Sequence, residues 1–308
     1  MAAVAAMAGS AGAQEYPTQV VRIFANVPGG VFDFGARVLA QGLTGPLRQS
    51  VIVDNRPGNV VPAQIVAKSP PDGHALLFHG QALYIGALLQ KVPYDPGADF
   101  VPISLVARAP LVLVVHPSLP ARSVKELIAL AKSRPAALNY ASTGVGATPH
   151  LAAELFKYQT GADLTHIPYK GAGPAMIDLV GGQVHLIFSV PNSAMPHIQS
   201  GRLRALGVTS IEPSALFPGL PALAASGVPD YESVGIYGLF APAKTPDAIV
   251  RRLHQEAVRL VATSEVKKRF LAAGLETVGS TPEEFSTILR NEMTKMEKVV
   301  RAANIRLD

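Results

Sequence analysis

The sequence reads as an α/β protein on three observations. Short β-branched runs recur along the 308 residues, helix-period stretches separate them, and Gly-rich turns stand where a strand ends and a helix begins. The composition, 48% hydrophobic and 16% charged, excludes disorder and describes a well-packed globular chain. Its length accommodates one large domain or two medium ones, either with a full core. With no cysteine, thiolate catalysis, disulfides and cysteine-ligated zinc are excluded. The net charge of +5 is spread over scattered Lys and Arg. The short run Lys267-Lys268-Arg269 is a solvated helix face rather than a nucleic-acid footprint, so no nucleic-acid partner is expected, although a mild positive balance favours anions.

Taken in order, the elements begin with residues 1–13, almost entirely Ala, Met, Gly and Val and ending in Ala11-Gly12-Ala13. This small-x-small ending predicts the remnant of a signal peptide, a mature chain from near Gln14, and export to the periplasm. No Lys or Arg precedes the apolar part, and an Ala-rich start of a cytosolic protein is the competing reading. No later apolar run is long enough to cross a bilayer. Strands are predicted at Val20 to Ala25, Val51 to Val53, Ala75 to Phe78, Leu111 to Val115, Leu138 to Ala141, Leu164 to Ile167, Val184 to Phe188, Leu203 to Val208 and Gly238 to Ala241. Their alternation with helices predicts parallel pairing through crossovers.

Helices announce themselves by their starts. A helical pattern runs from Asp33 to Leu43; Ser123 to Glu126 and Thr281 to Glu284 fit capping boxes; Thr148-Pro149 and Thr245-Pro246 place an N-cap before a first-turn proline. The last helix carries Phe285, Leu289, Met293, Met296, Val300 and Ala303 as one apolar stripe, which is core packing. No repeat and no Ser/Gly-rich linker is present. A two-lobed chain that crosses twice between lobes explains the length, with Leu111 to His116 and Val234 to Ala241 as the candidate crossings.

Three strand-to-helix turns are candidate anion sites. Pro28-Gly29-Gly30-Val31-Phe32-Asp33 follows the first strand, and its glycines permit several N–H groups to face one anion beside a positive helix end. An ordinary tight turn has the same residues. The second runs from Tyr140 through Ser142, Thr143, Gly146 and Thr148 to His150. The third, Pro168 to Pro174, contains Tyr169 and Lys170. None is a Gly-x-Gly-x-x-Gly or Walker loop, so no nucleotide is implied. Enzyme motifs are missing: there is no Gly-x-Ser-x-Gly and no His-Glu-x-x-His, and His74 and His79 fall on opposite faces of a strand. No metal, cofactor or catalytic residue is assigned.

These residues together resemble the substrate receptors of tripartite tricarboxylate transporters, also called Bug proteins, from about Tyr16 to Arg306. The likeness rests on ordered stretches: Pro28-Gly29-Gly30-x-x-Asp33, Asn55-Arg56-Pro57-Gly58, Pro71-Asp72-Gly73, Pro93-Tyr94-Asp95-Pro96, Leu111 to Pro117, Asn139 to Ser142, His166 to Gly171 and Gly181 to Val184. The resemblance implies a monomeric periplasmic receptor of the type II binding-protein architecture, with two crossover strands as its hinge. Residues 14–112 and 236–308 would form one lobe and 113–235 the other. It implies capture of a small carboxylate by lobe closure and delivery to a membrane permease of one large and one small subunit. A receptor feeding a membrane sensor kinase, or an enzyme on the same fold using Lys170, are the rivals.

In the family the two Gly-rich turns embrace the carboxylate, which here points to Pro28, Gly29, Gly30 and Asp33 facing Ser142, Thr143, Gly146, Thr148 and His150. A carboxylate facing a carboxylate repels it, so Asp33 is expected to shape its turn by accepting N–H groups. His79, Gln81 and Tyr237 are candidate specificity residues. The sequence departs from the family at four places. The loop after Gly58 is shortened, so its contact with a ligand is expected to differ. Val31, Phe32 and Phe34 make the entrance bulkier, and Asn26 replaces an apolar residue. Ser189 stands where many members carry Asp, which predicts a di- or tricarboxylate, aromatic or hydroxy acid without an ammonium group.

Overall fold

A computed structural model describes residues 16–306; the predicted signal segment lies outside the described residues. The chain forms two sheets. The first orders its strands β11(Glu276–Thr277)–β4(Phe100–Pro110)–β10(Val234–Pro242)–β3(Ala75–Gly80)–β1(Val21–Ala25)–β2(Val51–Asn55). The second orders them β7(Thr165–Pro168)–β6(Asn139–Ser142)–β8(Leu186–Ser189)–β5(Val112–Val115)–β9(Arg204–Val208). All nine predicted strands are present. Two more, β4 and β11, were not expected: the Pro102 and Pro110 that bracket β4 argue against a strand. Both prolines are tolerated, because β11 covers only Arg108 and Ala107 on one side of β4 while β10 pairs along the other.

The expected parallel pairing holds only in part. β1, β2 and β3 are parallel, as are β6, β7 and β8. β10 runs against both β3 and β4, and β5 runs against β8 and β9. The cause is topological. Strands β1, β3, β6 and β8 end at the cleft between the halves, whereas β5 and β10 enter their sheets from it. The chain leaves the first sheet at Pro110, enters the second at Val112, and returns between Val208 and Val234.

Helices cover both faces of each sheet. On the first sheet, α1(Val31–Leu47), α8(Asp247–Ala262) and α9(Ser264–Ala272) bury one face, and α2(Val60–Ala67), α3(Ala82–Leu89) and the start of α10(Pro282–Ala302) the other. On the second, α4(Val124–Ser133) and α5(Thr148–Thr160) cover one face, and α6(Ala172–Val180) and α7(Pro191–Gln199) the other. α10 spans both halves. Phe285 and Leu289 pack with the first sheet, while Met296, Val299 and Val300 join the second half's core, where α10 packs on α5. At 21 residues the helix is about 31 Å long. The close approach of α10 to β10 requires Gly238, where a Cβ would lie 2.1 Å from Phe285 Cζ.

The capping expectations divide. Thr281 and Glu284 form a full reciprocal box. Ser123 accepts Glu126 N–H as predicted, but the Glu126 carboxylate takes the N–H of Arg122, one residue before the cap. Thr148 and Thr245 are not caps: α5 begins from Ala147 and α8 from Pro246.

Candidate functional site

A cavity of about 500 Å³ lies between the halves. Its lining comes from the starts of six helices: Phe32 on α1, Asn59 and Val60 at α2, Gln81 and Ala82 at α3, the turn Thr143 to Pro149 at α5, Ala172 on α6, and Ser189 and Val190 before α7. Tyr237, Ile236 and Gly235 of β10 close one side. Three of these helices follow strands of the first sheet and three follow strands of the second. Gln81 bridges the halves by donating from Nε2 to Thr148 Oγ1 at 3.0 Å.

Two properties of this lining decide its chemistry. None of the six helices has a side-chain N-cap. Of the helices that start elsewhere, α4, α9 and α10 are capped by Ser123, Thr263 and Thr281, while α8 starts from Pro246 without a side-chain cap. Each uncapped start leaves first-turn N–H groups without a helical acceptor and carries a partial positive charge. In addition, the lining contains no Asp, Glu, Lys, Arg or His. Backbone donors and the neutral side chains of Asn59, Gln81, Gln90, Tyr94, Thr143, Thr148, Ser189 and Tyr237 therefore supply its polar character. Such a site attracts an anion without neutralising it by an ion pair.

Of the residues singled out in the sequence, Phe32, Gln81, Thr143, Gly146, Thr148, Ser189 and Tyr237 line the cavity. The others stand behind it or beside it. Pro28, Gly29 and Gly30 form an exposed turn in which Gly29 takes a left-handed φ of 82°. Asp33 is buried behind that turn, accepting Gly29 N–H at 3.0 Å, Asn55 Nδ2 at 2.9 Å and Arg37 Nε at 2.9 Å. Burial alone raises its pKa, but the bonds from Arg37, Gly29 and Asn55 outweigh burial and hold the carboxyl below its ordinary range. Asp33 thus accepts N–H groups, in the manner expected for shaping the turn. Val31 packs against the first sheet's core. Phe34 turns away to pack edge-on against Phe270, with centroids 5.3 Å apart, so Phe32 alone brings bulk to the cavity.

Asn26 and His79 act through Asn59. Asn26 Nδ2 donates to Asn59 Oδ1. His79 is fully buried; its Nδ1 accepts Gly80 N–H at 2.9 Å, which leaves Nε2–H to donate to the Asn59 carbonyl at 2.9 Å. Burial lowers its pKa, with the bonds to Gly80 and Asn59 opposing, and the ring stays neutral. Phe32 stacks on His79 and leans on Tyr237, at 5.4 Å and 5.3 Å between centroids. The shortened loop after Gly58 does reach the cavity, because α2 starts at once and presents Asn59 and Val60.

On the other half, Ser142 and His150 hold the Gly-rich turn from behind. Ser142 Oγ accepts Gly144 N–H at 3.2 Å and lies 2.6 Å from His166 Nε2. His150 Nδ1 accepts Gly146 N–H at 2.9 Å, and its ring stacks on His166 with centroids 3.9 Å apart. Burial first, then the neighbouring His166, depresses the His150 pKa to about 4. Burial lowers His166 as well. Tyr169 donates to Asp178 Oδ2 at 2.7 Å, and Lys170 is exposed; neither lines the cavity. The rival that needs a reactive lysine in the cleft loses its candidate.

The sequence reading missed the α3 wall, formed by Ala82, Ile85, Gly86, Leu89 and Gln90, and its continuation at Val92 and Tyr94. Apolar residues at helical spacing look the same whether they face a core or a cavity. Gly86, inside a helix otherwise free of glycine, was the available signal.

Comparison with known proteins agrees with this geometry. Residues 35–305 match the family model of the tripartite tricarboxylate transporter family receptor. Protein BugT of Bordetella pertussis is 36% identical over 99% of this chain and 95% of its own. Among solved structures, an R. palustris protein with adipate is 34% identical, with a TM-score of 0.75 over 94% of this chain and 99% of that one. MatC from Rhodopseudomonas palustris with bound malate is 28% identical, with a TM-score of 0.70 over 92% of this chain and 100% of that one.

Proposed function

The chain belongs to the tripartite tricarboxylate transporter receptor family, and from that premise we propose that it is a periplasmic receptor that captures a small carboxylate between its halves. The observation that carries this reading is the convergence of six uncapped helix starts on a cavity without a charged side chain. Similar proteins holding adipate and malate support the same ligand chemistry. A membrane permease of one large and one small subunit is the proposed recipient. No helix among the described residues is long and apolar enough to cross a membrane itself.

Binding is by closure. Donors come from both halves, so the carboxylate makes its full set of bonds only when the halves meet, and it stabilises that state by the difference. Three or four bonds to a charged ligand, at about 1.5–3 kcal/mol each before ordering losses, suffice for the roughly −8 kcal/mol of a micromolar complex. Because Ser189 offers no carboxylate to the cavity, an ammonium group finds no charged partner there. The ligand is therefore an acid without an amine.

Thermal-shift measurement of ligand-stripped protein against dicarboxylates, tricarboxylates, aromatic acids and amino acids tests the reading. A ligand at a hundred times its Kd stabilises the native state by about 2.7 kcal/mol. Failure of every carboxylate to raise Tm would falsify carboxylate capture. Equal affinity for an amino acid and its deaminated analogue, by calorimetry, would refute the absence of an amine.

A further inference from the structure

The cavity has two chemically distinct ends. The helix starts, with Thr143 to Thr148, Gln81 and Ser189, make one end polar. The other end runs along one face of α3, where Ala82, Ile85, Gly86, Leu89 and Gln90 follow each other at helical spacing, and it finishes at Val92 and Tyr94. Gly86 lies in the middle of that stripe. A Cβ built there meets no atom within 4 Å, so the missing side chain is cavity space. Glycine inside a helix costs about 1 kcal/mol relative to alanine, and here no turn, positive φ or close backbone contact requires it. What it provides is room.

From this, and resting on the receptor reading above, we infer that Gly86 opens a second, apolar compartment that takes the uncharged aryl body of a monocarboxylate. The polar compartment holds the carboxylate, and the ring lies over Gly86 between Ile85 and Leu89, toward Val92 and Tyr94. The cavity's 500 Å³ falls inside the range of about 300–1,000 Å³ typical of small-molecule sites, more than a two- or three-carbon acid fills. The far end also disfavours a second charge. No cation lines it; its polar groups are the Gln90 amide and the Tyr94 hydroxyl, which is buried and without a hydrogen-bond partner, and neither neutralises a carboxylate. A carboxylate placed against Leu89 and Val92 is desolvated with no cation to offset the cost. The site therefore separates aryl monoacids from dicarboxylates by the wall of α3, a distinction that the anion-holding turns cannot make.

Calorimetric titration with propionate, 3-phenylpropionate and adipate, on the full chain and on Gly86→Leu and Gly86→Ala, tests this. In the unsubstituted protein 3-phenylpropionate binds about 10- to 100-fold tighter than propionate, the fold-change expected from burying a phenyl ring, and tighter than adipate. Gly86→Leu removes the advantage of the phenyl group while propionate affinity stays within about twofold; Gly86→Ala removes part of it. Both substitutions improve helix propensity, so Tm without ligand is retained or rises, and the alanine variant carries the test should leucine disturb folding. The inference is overturned if the phenyl group adds nothing, if adipate binds tighter, or if Gly86→Leu weakens propionate and 3-phenylpropionate alike. Propionate binding without a phenyl advantage rejects the apolar compartment and leaves the receptor reading intact. Absence of binding by every carboxylate rejects both.

Discussion

Acidification should loosen the second Gly-rich turn through His150. The Nδ1 of this buried ring accepts Gly146 N–H at 2.9 Å, and only an unprotonated nitrogen can do so. The groups around it push in both directions: burial, the stacked His166 and Lys157 lower its pKa, while Glu154 raises it, and the result is about 4 against an ordinary 6.5. Between those values the unfolded chain binds the proton and the folded chain does not. Stability is therefore at its full value above pH 6.5, falls as pH drops from 6.5 toward 4, and levels off below. The two values differ by about 3 kcal/mol of free energy, or about 2–3 kcal/mol once solvent near the cluster is allowed for. His166, lowered by burial, acts in the same direction. Urea denaturation at a series of pH values from 7.5 to 4, on the natural chain and on His150→Asn, gives the measurement. Asparagine keeps an acceptor near the Nδ1 position and does not titrate, so subtracting its curve removes the contribution of carboxylates elsewhere. Superimposable pH dependences for the two proteins would refute the assignment. Carboxylate affinity should weaken over the same window, since the turn that loses its hold lines the cavity.

Four substitutions test other parts of the argument. Asp33→Ala leaves Gly29 N–H without its acceptor and Asn55 Nδ2 with the Asn26 carbonyl alone and should cost about 1–3 kcal/mol in urea denaturation; a neutral result would mean the first turn holds its shape without the carboxylate. Tyr94→Phe removes a buried hydroxyl with no partner and should be neutral or slightly stabilising. Tyr231→Phe removes a second donor, at 2.8 Å, from the Ala152 carbonyl inside α5 and should cost about 0.5–1.5 kcal/mol. Gly238→Ala drives a methyl into Phe285 at 2.1 Å and should cost about 1–3 kcal/mol through overpacking, visible as a lower Tm.

What the sequence shows well is whatever depends on a local pattern. β-branched runs located nine strands, the stripe on α10 located its buried face, and Thr281 with Glu284 marked its start, because each signal involves neighbours within one element. Properties set by distant parts of the chain were less legible. β4 was hidden by Pro102 and Pro110, which fit only because of where β11 and β10 pair with it. The reversed direction of β5 and β10 follows from entering a sheet at the cleft, which no local spacing records. Thr148 looks like an N-cap beside Pro149, yet its hydroxyl accepts from Gln81, 67 residues earlier in the chain, and Ala147 takes the cap position. The Gly-rich turns were visible as candidates. Their roles were separable only in three dimensions, where Asp33, Ser142, His79 and His150 stand behind the surface that Thr143, Gly146, Gln81 and Thr148 present.

The lack of charge in the cavity bears directly on how such a receptor releases what it holds. A buried arginine paired with the ligand would bind tightly, but separating them leaves an uncompensated charge, at a cost of about 3–5 kcal/mol. Uncapped helix starts behave differently. On opening, each N–H exchanges the ligand for water, and net hydrogen-bond differences are about 0.5–1.5 kcal/mol apiece. Because α1, α2 and α3 belong to one half and α5, α6 and α7 to the other, parting the halves withdraws one set of donors without stranding an ion. Under the proposed closure, affinity is a property of the closed pair rather than of either half. Anything that holds the halves apart weakens the ligand's grip by the same free energy with which the ligand draws them together.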